Sequence, residues 1–514
     1  MNGFPQLALF RTNTHSLLLR VCTDPLFFLA PRTTTDKVKM RKLLVLLLFV
    51  SLLLDLATAQ DPPRVRKPRP PPKPKRPPKR PAKPRVTQPP PPPPPAATAA
   101  AAAAAAAPNE DGAGDAEEDL TPFPDKMLAR AHANFGLEVF RRAAAAADER
   151  SNVLLSPIAL STSLSMLLLG AAPGSSSWKR LSKALNYDTV QQGDVHDLQR
   201  QLLATLGSEA KGQQQHAARV YLRRGLPPKE AYVADVLKFY GTEPKVLSGS
   251  TGRDLQDING WLSQRTSGVL RDAVPALPAD LSLLLVSAMH VKAKWALQFP
   301  PEETAQSVFH AGGGKQRGPV ALRVATMHRD DVPIRYGLDT ELGCQVAQLP
   351  LQGGCSLLLF VPVEVTGNLT VVEESLTSEF VADIVRALHS VRARLSVPRL
   401  ALRDAGDLAG AVKQLKLESL FSSDADLSAM SEARVGLAVS AVRHAALLEL
   451  AEEGGGVVGG GGGEALDAAA RGRAEDAHVH RMEFSVDRPF IFIVRHDATG
   501  ALPLVGRIVD PAAA

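Results

Sequence analysis

The chain has three cysteines in 514 residues, Cys22, Cys344 and Cys355, too few for a disulfide scaffold. Cys344 and Cys355 bound the stretch CQVAQLPLQGGC, which reads as strand, turn and strand with Gly353-Gly354 at the turn. Cys355 then pairs near Leu351 and Cys344 lies far down the hairpin, so two buried thiols are expected rather than a bridge. Catalytic signatures are missing too. There is no GxSxG elbow and no HExxH helix, and the glycine-rich stretch near the C-terminus lacks the Gly-Lys-Ser/Thr of a phosphate cradle. His478 and His480 have no third ligand nearby, so neither a metal nor a cofactor is expected and the chain does not read as an enzyme. Outside one early run, no stretch reaches ~18 uninterrupted apolar residues, so membrane insertion of the mature chain is not expected.

What is present is distributed unevenly. Met40-Arg41-Lys42, the run LLVLLLFVSLLLDL and Ala57-Thr58-Ala59 have the charged start, apolar centre and A-x-A end of a secretory signal peptide over residues 40–59. Residues 1–39 then read as an upstream extension. Residues 60–124 carry a Pro-rich basic arm, an alanine run and an acidic linker, none of it core-like. The arm, residues 60–107, holds eleven Lys/Arg against one Asp; residues 1–59 hold seven against three Asp. With +6 overall, residues 108–514 are left at net −8. A polyproline arm of this charge suits polyanions such as sulfated glycans, or serves as a soluble spacer. Nucleic acid is not an expected partner, because a secreted chain does not meet the import machinery.

From Asp125 onward the pattern becomes globular. DKMLARAHANFGLEVFRRAAAAA has apolar residues at helical spacing. Ser156-Pro157 opens a second helix that is apolar on every side and must lie inside a large domain. DLQDINGWLSQRTSGVL reads as a helix ending near Gly268 and LTVVEESLTSEFVADIVRAL as helices. LSLLLVSAMHVKAKW and CSLLLFVP read as buried strands, and VRARLSVPRLAL as a half-exposed one. The mixture implies one α+β domain over residues 125–514.

Several of these stretches resemble the serpin family. NVLLSPIALSTSLSMLLLGA, DINGWLSQRTSGVL, LLLVSAMHVKAKWALQFPPEETAQSVF and the C-terminal FSVDRPFIFIVRHDATGALPLVGRIVDP are similar to serpin segments, and the likeness covers about residues 125–512. It implies three β-sheets, eight or nine helices and an exposed reactive loop before the C-terminal signature. Pro503 departs from the family, which usually has an apolar strand residue there; loss of a ladder donor is expected to loosen the last strand. In an inhibitory serpin the loop is cleaved by its target protease and inserts as a strand into the main sheet. Here Glu452, Glu453 and Gly454 fit the family's hinge, but Gly455, Gly456, two valines and five more glycines follow where threonine or serine and small alanines are usual. Each Gly in place of Ala in an ordered strand costs roughly 0.5–1 kcal/mol. The resemblance therefore implies a substrate-like, non-inhibitory serpin. The rival reading is an inhibitor of a trypsin-like protease, with Arg471 or Arg473 near the cleavage point; a third is a scaffold acting through the arm alone.

Two further stretches, RYGLDTELGCQVAQLPL and NLTVVEESLTSEFVADI, resemble one secreted branch of that family. That branch implies heparin-like glycosaminoglycan binding through Arg223 and Arg224, with Lys229 joining them, although the basic cluster expected between Arg265 and Arg271 is thinned. It implies collagen binding through Asp339, Glu341 and Asp383, with Asp339 and Glu341 on one face of a strand. It also implies signalling through an unidentified cell-surface receptor, by helices within residues 153–196, with anti-angiogenic and neurotrophic roles. Each set has a plainer reading, a solvated strand end and an acidic surface. Asn368-Leu369-Thr370 is the N-x-S/T sequon of the chain and is expected to carry a glycan or else to be an unmodified turn.

Overall fold

The computed structural model describes residues 124–513, apart from 191–192, 211–212, 313–319, 366, 368, 433–435 and 455–481. The signal segment, the arm, Asn368, Gly455, Gly456, Arg471, Arg473, His478 and His480 therefore lie outside the described residues.

The described residues open with α1 (Pro124–Ala146), β1 (Val153–Leu155), α2 (Pro157–Gly170), α3 (Ser176–Ala184), α4 (Val195–Glu209), β2 (Gln214–Leu222), α5 (Glu230–Tyr240), β3 (Lys245–Val246) and α6 (Thr251–Arg265). Then come β4 (Leu283–Trp295), β5 (Ala305–Ala311), β6 (Val320–Asp339), β7 (Cys344–Pro350), β8 (Cys355–Pro362), α7 (Thr370–Ser375) and α8 (Ser378–Ala387). The last elements are β9 (His389–Pro398), β10 (Leu400–Asp407), α9 (Ala409–Val412), β11 (Val439–Gly454), β12 (Met482–Ser485), β13 (Phe490–His496) and β14 (Leu504–Ile508).

One sheet has the strand order β10-β11-β4-β2-β3. Its centre is unusual, because β11 and β4 run parallel while β10 and β2 flank them antiparallel. The other strands form one hydrogen-bonded path that bends within β6. Asp331 there has φ 61°, and the register with β9 shifts between Arg329 and Val332. The bend divides the path: β5 pairs the first half of β6 and β7 the second half, which continues to β8, β13, β14 and β1, while β9 follows β6 through the bend, opposite both Thr326–Arg329 and Val332–Tyr336. With the five-stranded sheet this makes the three sheets expected, and nine α-helices occur among the described residues.

α2 fills the interior. Ser156 caps it by accepting from the Ala159 amide at 3.1 Å, and Pro157 takes the first helical position, where its missing N–H costs nothing. Thirteen of its fourteen residues are buried, so no polar face is needed. Gly136 lets α1 ride onto its start: a Cβ there would lie 2.2 Å from Pro157 Cβ. α6 ends at Arg265, and Gly268 (φ 84°) donates back to the Ser263 carbonyl at 2.7 Å, close to the expected end.

Cys344 and Cys355 are both free and buried, on paired strands, with Cys344 opposite Pro362. The Leu351 amide donates to the Cys355 carbonyl at 2.9 Å, as the hairpin reading requires. Two expectations need correction. The half-exposed alternation holds from Ala393 to Leu395 and from Arg399 to Leu402 but fails at residues 396–398, where both faces of β9 are buried. Pro503 does not loosen β14, because the ladder starts one residue later, at Leu504 opposite Val494. β14 is then paired on both sides, to β13 and to β1.

Gly506 sits in the middle of β14, where a Cβ would meet Phe492 Cε1 at 2.4 Å and the Val153 carbonyl oxygen at 2.9 Å. Gly506→Val is expected to lower stability by at least about 1–3 kcal/mol, read as a shift of the urea midpoint with little change in slope.

Candidate functional site

The site with most structure around it is the C-terminal end of β11, where the chain leaves the five-stranded sheet. The β4–β11 ladder runs without a shift from Ala441 opposite Leu284 to Leu450 opposite Ala293, then slips, so that Gly454 lies opposite Trp295. Ala451, Glu452 and Glu453 occupy the slip. What the ladder no longer holds, side chains hold. The Trp295 indole Nε1 donates to the Ala451 carbonyl at 2.8 Å and the Phe299 amide to the Glu452 carbonyl at 3.2 Å. Thr304 Oγ1 donates to Glu452 Oε1 at 2.9 Å, and Arg399 Nε lies 3.8 Å from the other carboxylate oxygen. Trp295 and Phe299 pack edge to face, centroids 5.0 Å apart, beneath this point. Lys292 Nζ reaches Glu453 at 3.0 Å and holds its carboxyl below the usual range. That pair is largely exposed, so solvent screens it. The two hinge glutamates therefore differ: Glu452 is tethered into the sheet and Glu453 lies on its surface.

Further down the same pair of strands is a buried polar cluster. His444 on β11 accepts at Nε2 from the Ser156 amide, 3.0 Å away, at the cap of α2. A backbone N–H can only donate, so Nε2 carries no proton and the ring is the Nδ1–H tautomer. Nδ1 then donates to Ser287 Oγ on β4 at 2.9 Å. One neutral histidine thus ties β11, β4 and α2 together, and its burial pushes its pKa down to about 3. Sequence reasoning missed this residue. The available signal was a histidine heading the largely apolar run HAALL, residues 444–448.

Arg223 and Arg224 follow β2 directly and are exposed, and Lys229 stands just before α5. All three belong to one connection, and among the described residues neither arginine meets a carboxylate. The acidic set is placed differently from expectation. Asp339 is the last residue of β6, but Glu341 lies in the turn to β7, so the two do not share a strand face. Asp339 Oδ1 instead accepts the amides of Glu341 at 3.0 Å and Leu342 at 2.9 Å, an Asx turn that favours the bend over a longer strand. Asp383, on α8, is engaged by Arg386 one turn later. Tyr336 of β6 lies opposite His389 of β9, which brings the connection leaving α8 beside the last turns of β6.

A family model described as "Serpin (serine protease inhibitor)" matches residues 130–511. Human pigment epithelium-derived factor is 35% identical over 408 residues, spanning 79% of this chain and 92% of that protein. Bovine alpha-2-antiplasmin is 30% identical over 394 residues, spanning 76% of this chain and 74% of that protein. Among solved structures, mouse protein-Z dependent protease inhibitor aligns with a TM-score of 0.66 at 23% identity, covering 76% of this chain and 98% of that one. Maspin aligns with a TM-score of 0.65 at 24% identity, covering 76% and 100%.

The histidine cluster has a pH signature. His444 binds a proton near the ordinary histidine value of 6.5 when unfolded and only near about 3 when folded. Its contribution to stability is complete above pH 6.5 and is lost as pH falls toward 3. His444→Gln removes that titration. Between pH 6.5 and 4 its stability is expected to fall less steeply than that of the unaltered chain, by up to about 1.4 kcal/mol per pH unit, read from urea unfolding at a series of pH values.

Proposed function

The chain belongs to the serpin family, and from that footing we propose that it is a secreted, non-inhibitory serpin, an extracellular glycoprotein that binds matrix and signals to cells, in the manner of the pigment epithelium-derived factor branch. The observation that carries the reading is the sequence that follows Glu452-Glu453-Gly454. A strand arriving between β4 and β11 from the loop after β11 would run antiparallel to both, replacing one parallel pair with two antiparallel ones. That exchange is favourable per residue. Here the entering segment opens with Gly455-Gly456-Val457-Val458 and five further glycines. Ordering them offsets several kcal/mol of the drive at roughly 0.5–1 kcal/mol per glycine. Insertion must also outrun release of the protease, so a weaker drive gives cleavage without capture.

The exposed arginines after β2 support a glycan-binding role, with the basic arm as a second cationic element. Asp339, Glu341 and Asp383 supply an acidic surface for the basic side chains of collagen. Glycosylation at Asn368 and export through the segment at residues 40–59 complete the reading.

Incubation with trypsin-like and chymotrypsin-like proteases is expected to give a clean cut within residues 455–481 and no covalent complex on a denaturing gel. The cut protein is expected to melt close to the intact one. A stable covalent band, or a large rise in melting temperature after cleavage, would replace this reading with that of an inhibitor acting through Arg471 or Arg473.

On a heparin column, Arg223→Ala with Arg224→Ala is expected to lower the eluting salt concentration, and deletion of residues 60–107 to lower it further. If the double variant elutes unchanged, the body does not hold the glycan.

A further inference from the structure

One polar pair spans the seam between β4 and β11 without being part of the ladder or the hinge. His290 of β4 stands opposite Leu447 of β11 and opposite Gln215 of β2. Glu449, two residues past Leu447, falls on the same face of the sheet. Its Oε1 lies 3.4 Å from His290 Nε2. The histidine side chain is 7% exposed and the glutamate 33%, so the pair has a buried end and a wet end.

The imidazole is held in one tautomer. Gln215 Nε2 donates to Ser267 Oγ at 2.7 Å, which turns Gln215 Oε1 toward His290 Nδ1, 3.2 Å away. An amide oxygen only accepts, so Nδ1 carries the proton and Nε2 keeps its lone pair. Nε2 is buried without a hydrogen-bond partner. A second proton would satisfy it, but burial lowers the His290 pKa, with Glu449 opposing and Lys292 adding to the fall. The 3.4 Å separation also exceeds the roughly 2.7–2.9 Å of a charge-assisted hydrogen bond. A lone pair and a carboxylate oxygen therefore face each other with nothing positive between them. Two ligands of a tetrahedral ion, bonded at about 2.0–2.1 Å, stand about 3.3–3.4 Å apart.

We propose that His290 and Glu449 bind a divalent transition-metal ion, Zn²⁺ in character, across the seam. His290 Nε2 and Glu449 Oε1 are its protein ligands. Gln215 fixes the ring from behind, as the outer partners of metal-binding histidines do. Among the described residues no third His, Cys, Asp or Glu joins the pair, so water on the exposed side of Glu449 completes the shell. The ion is then exchangeable rather than a closed structural site. Lys292 stands opposite Glu449 and opposes the ion, but its ammonium is drawn to Glu453 at 3.0 Å. Bound there, the metal ties β4 to β11 and favours the closed sheet, whether or not the chain captures proteases. The two ligands are far apart in the chain, so spacing alone does not announce them.

The test uses the full chain, freed of metal with a chelator, in calorimetric titration with Zn²⁺ and in urea unfolding with Zn²⁺ or Mg²⁺. Zn²⁺ is expected to raise the urea midpoint, and the hard ion Mg²⁺ to leave it unchanged. Amides of β4 and β11 are expected to exchange more slowly with Zn²⁺ present. Glu449→Gln and His290→Gln are each expected to weaken Zn²⁺ binding at least about tenfold. Glu449→Gln alters the partly exposed end and decides the matter should His290→Gln not fold. Lys292→His removes the opposing charge, offers a third ligand and is expected to strengthen binding. His478→Ala with His480→Ala is expected to leave the affinity unchanged. Zn²⁺ affinity that survives Glu449→Gln, that is lost with His478 and His480, or that comes without a rise in the urea midpoint overturns the proposal.

Discussion

The pairing of β4 with β11 is the contact on which the rest depends. Two long strands lie parallel at the centre of a sheet whose outer pairs with β10 and β2 are antiparallel. Parallel ladders are slightly weaker per residue. Everything placed around this seam holds it shut. α2 lies behind it, His444 joins its two strands to the α2 cap, and Trp295, Phe299 and Thr304 grip the chain where the ladder ends. The hydrogen bonds at the slip go to the backbone and carboxylate of residues 451–452, so they act on the last described residues of β11.

This arrangement separates two properties that are easily confused. The grip on Glu452 determines how readily the seam opens at its end. On the proposed reading, the residues beyond Gly454 set what is gained once it opens. A chain can keep the first intact while the second is weakened, and glycine does this without steric conflict, because it fits anywhere a strand residue fits. The fold is then fully that of its relatives, while the proposed outcome of cleavage differs from theirs.

Much of the fold was legible. The capped helix at Ser156-Pro157, the hairpin at Gly353-Gly354 and the two buried strands follow from local rules of capping, turn chemistry and apolar periodicity. β9 was misread only at residues 396–398, where both faces are buried, because the pattern of one strand does not report what packs on its second face. Pro503 was misread by a single residue, the least reliable quantity in any boundary. In the candidate site, Glu452 and Glu453 were legible as a motif, but their different fates were not. Those depend on Thr304 and Lys292, which lie far off in sequence. Glu341 was placed on a strand because spacing by two was the only cue; the carboxylate of Asp339 bends the chain first.

β1 is three residues long and its one strand partner is β14, with Val153 opposite Arg507 and Leu155 opposite Val505. The buried Arg507 guanidinium also donates to the Ala144, Asp148 and Ser151 carbonyls and meets Glu373 at 3.2 Å. The first described elements are thus fastened to a strand more than 350 residues further along the chain. During synthesis α1 can pack onto α2, but β1 has no strand to pair with until β14 has emerged, and such long-range closure is slow. A truncation before β14 would leave β1 without its strand partner and the carbonyls of Ala144, Asp148 and Ser151 without the Arg507 guanidinium, a state that chaperones would recognise.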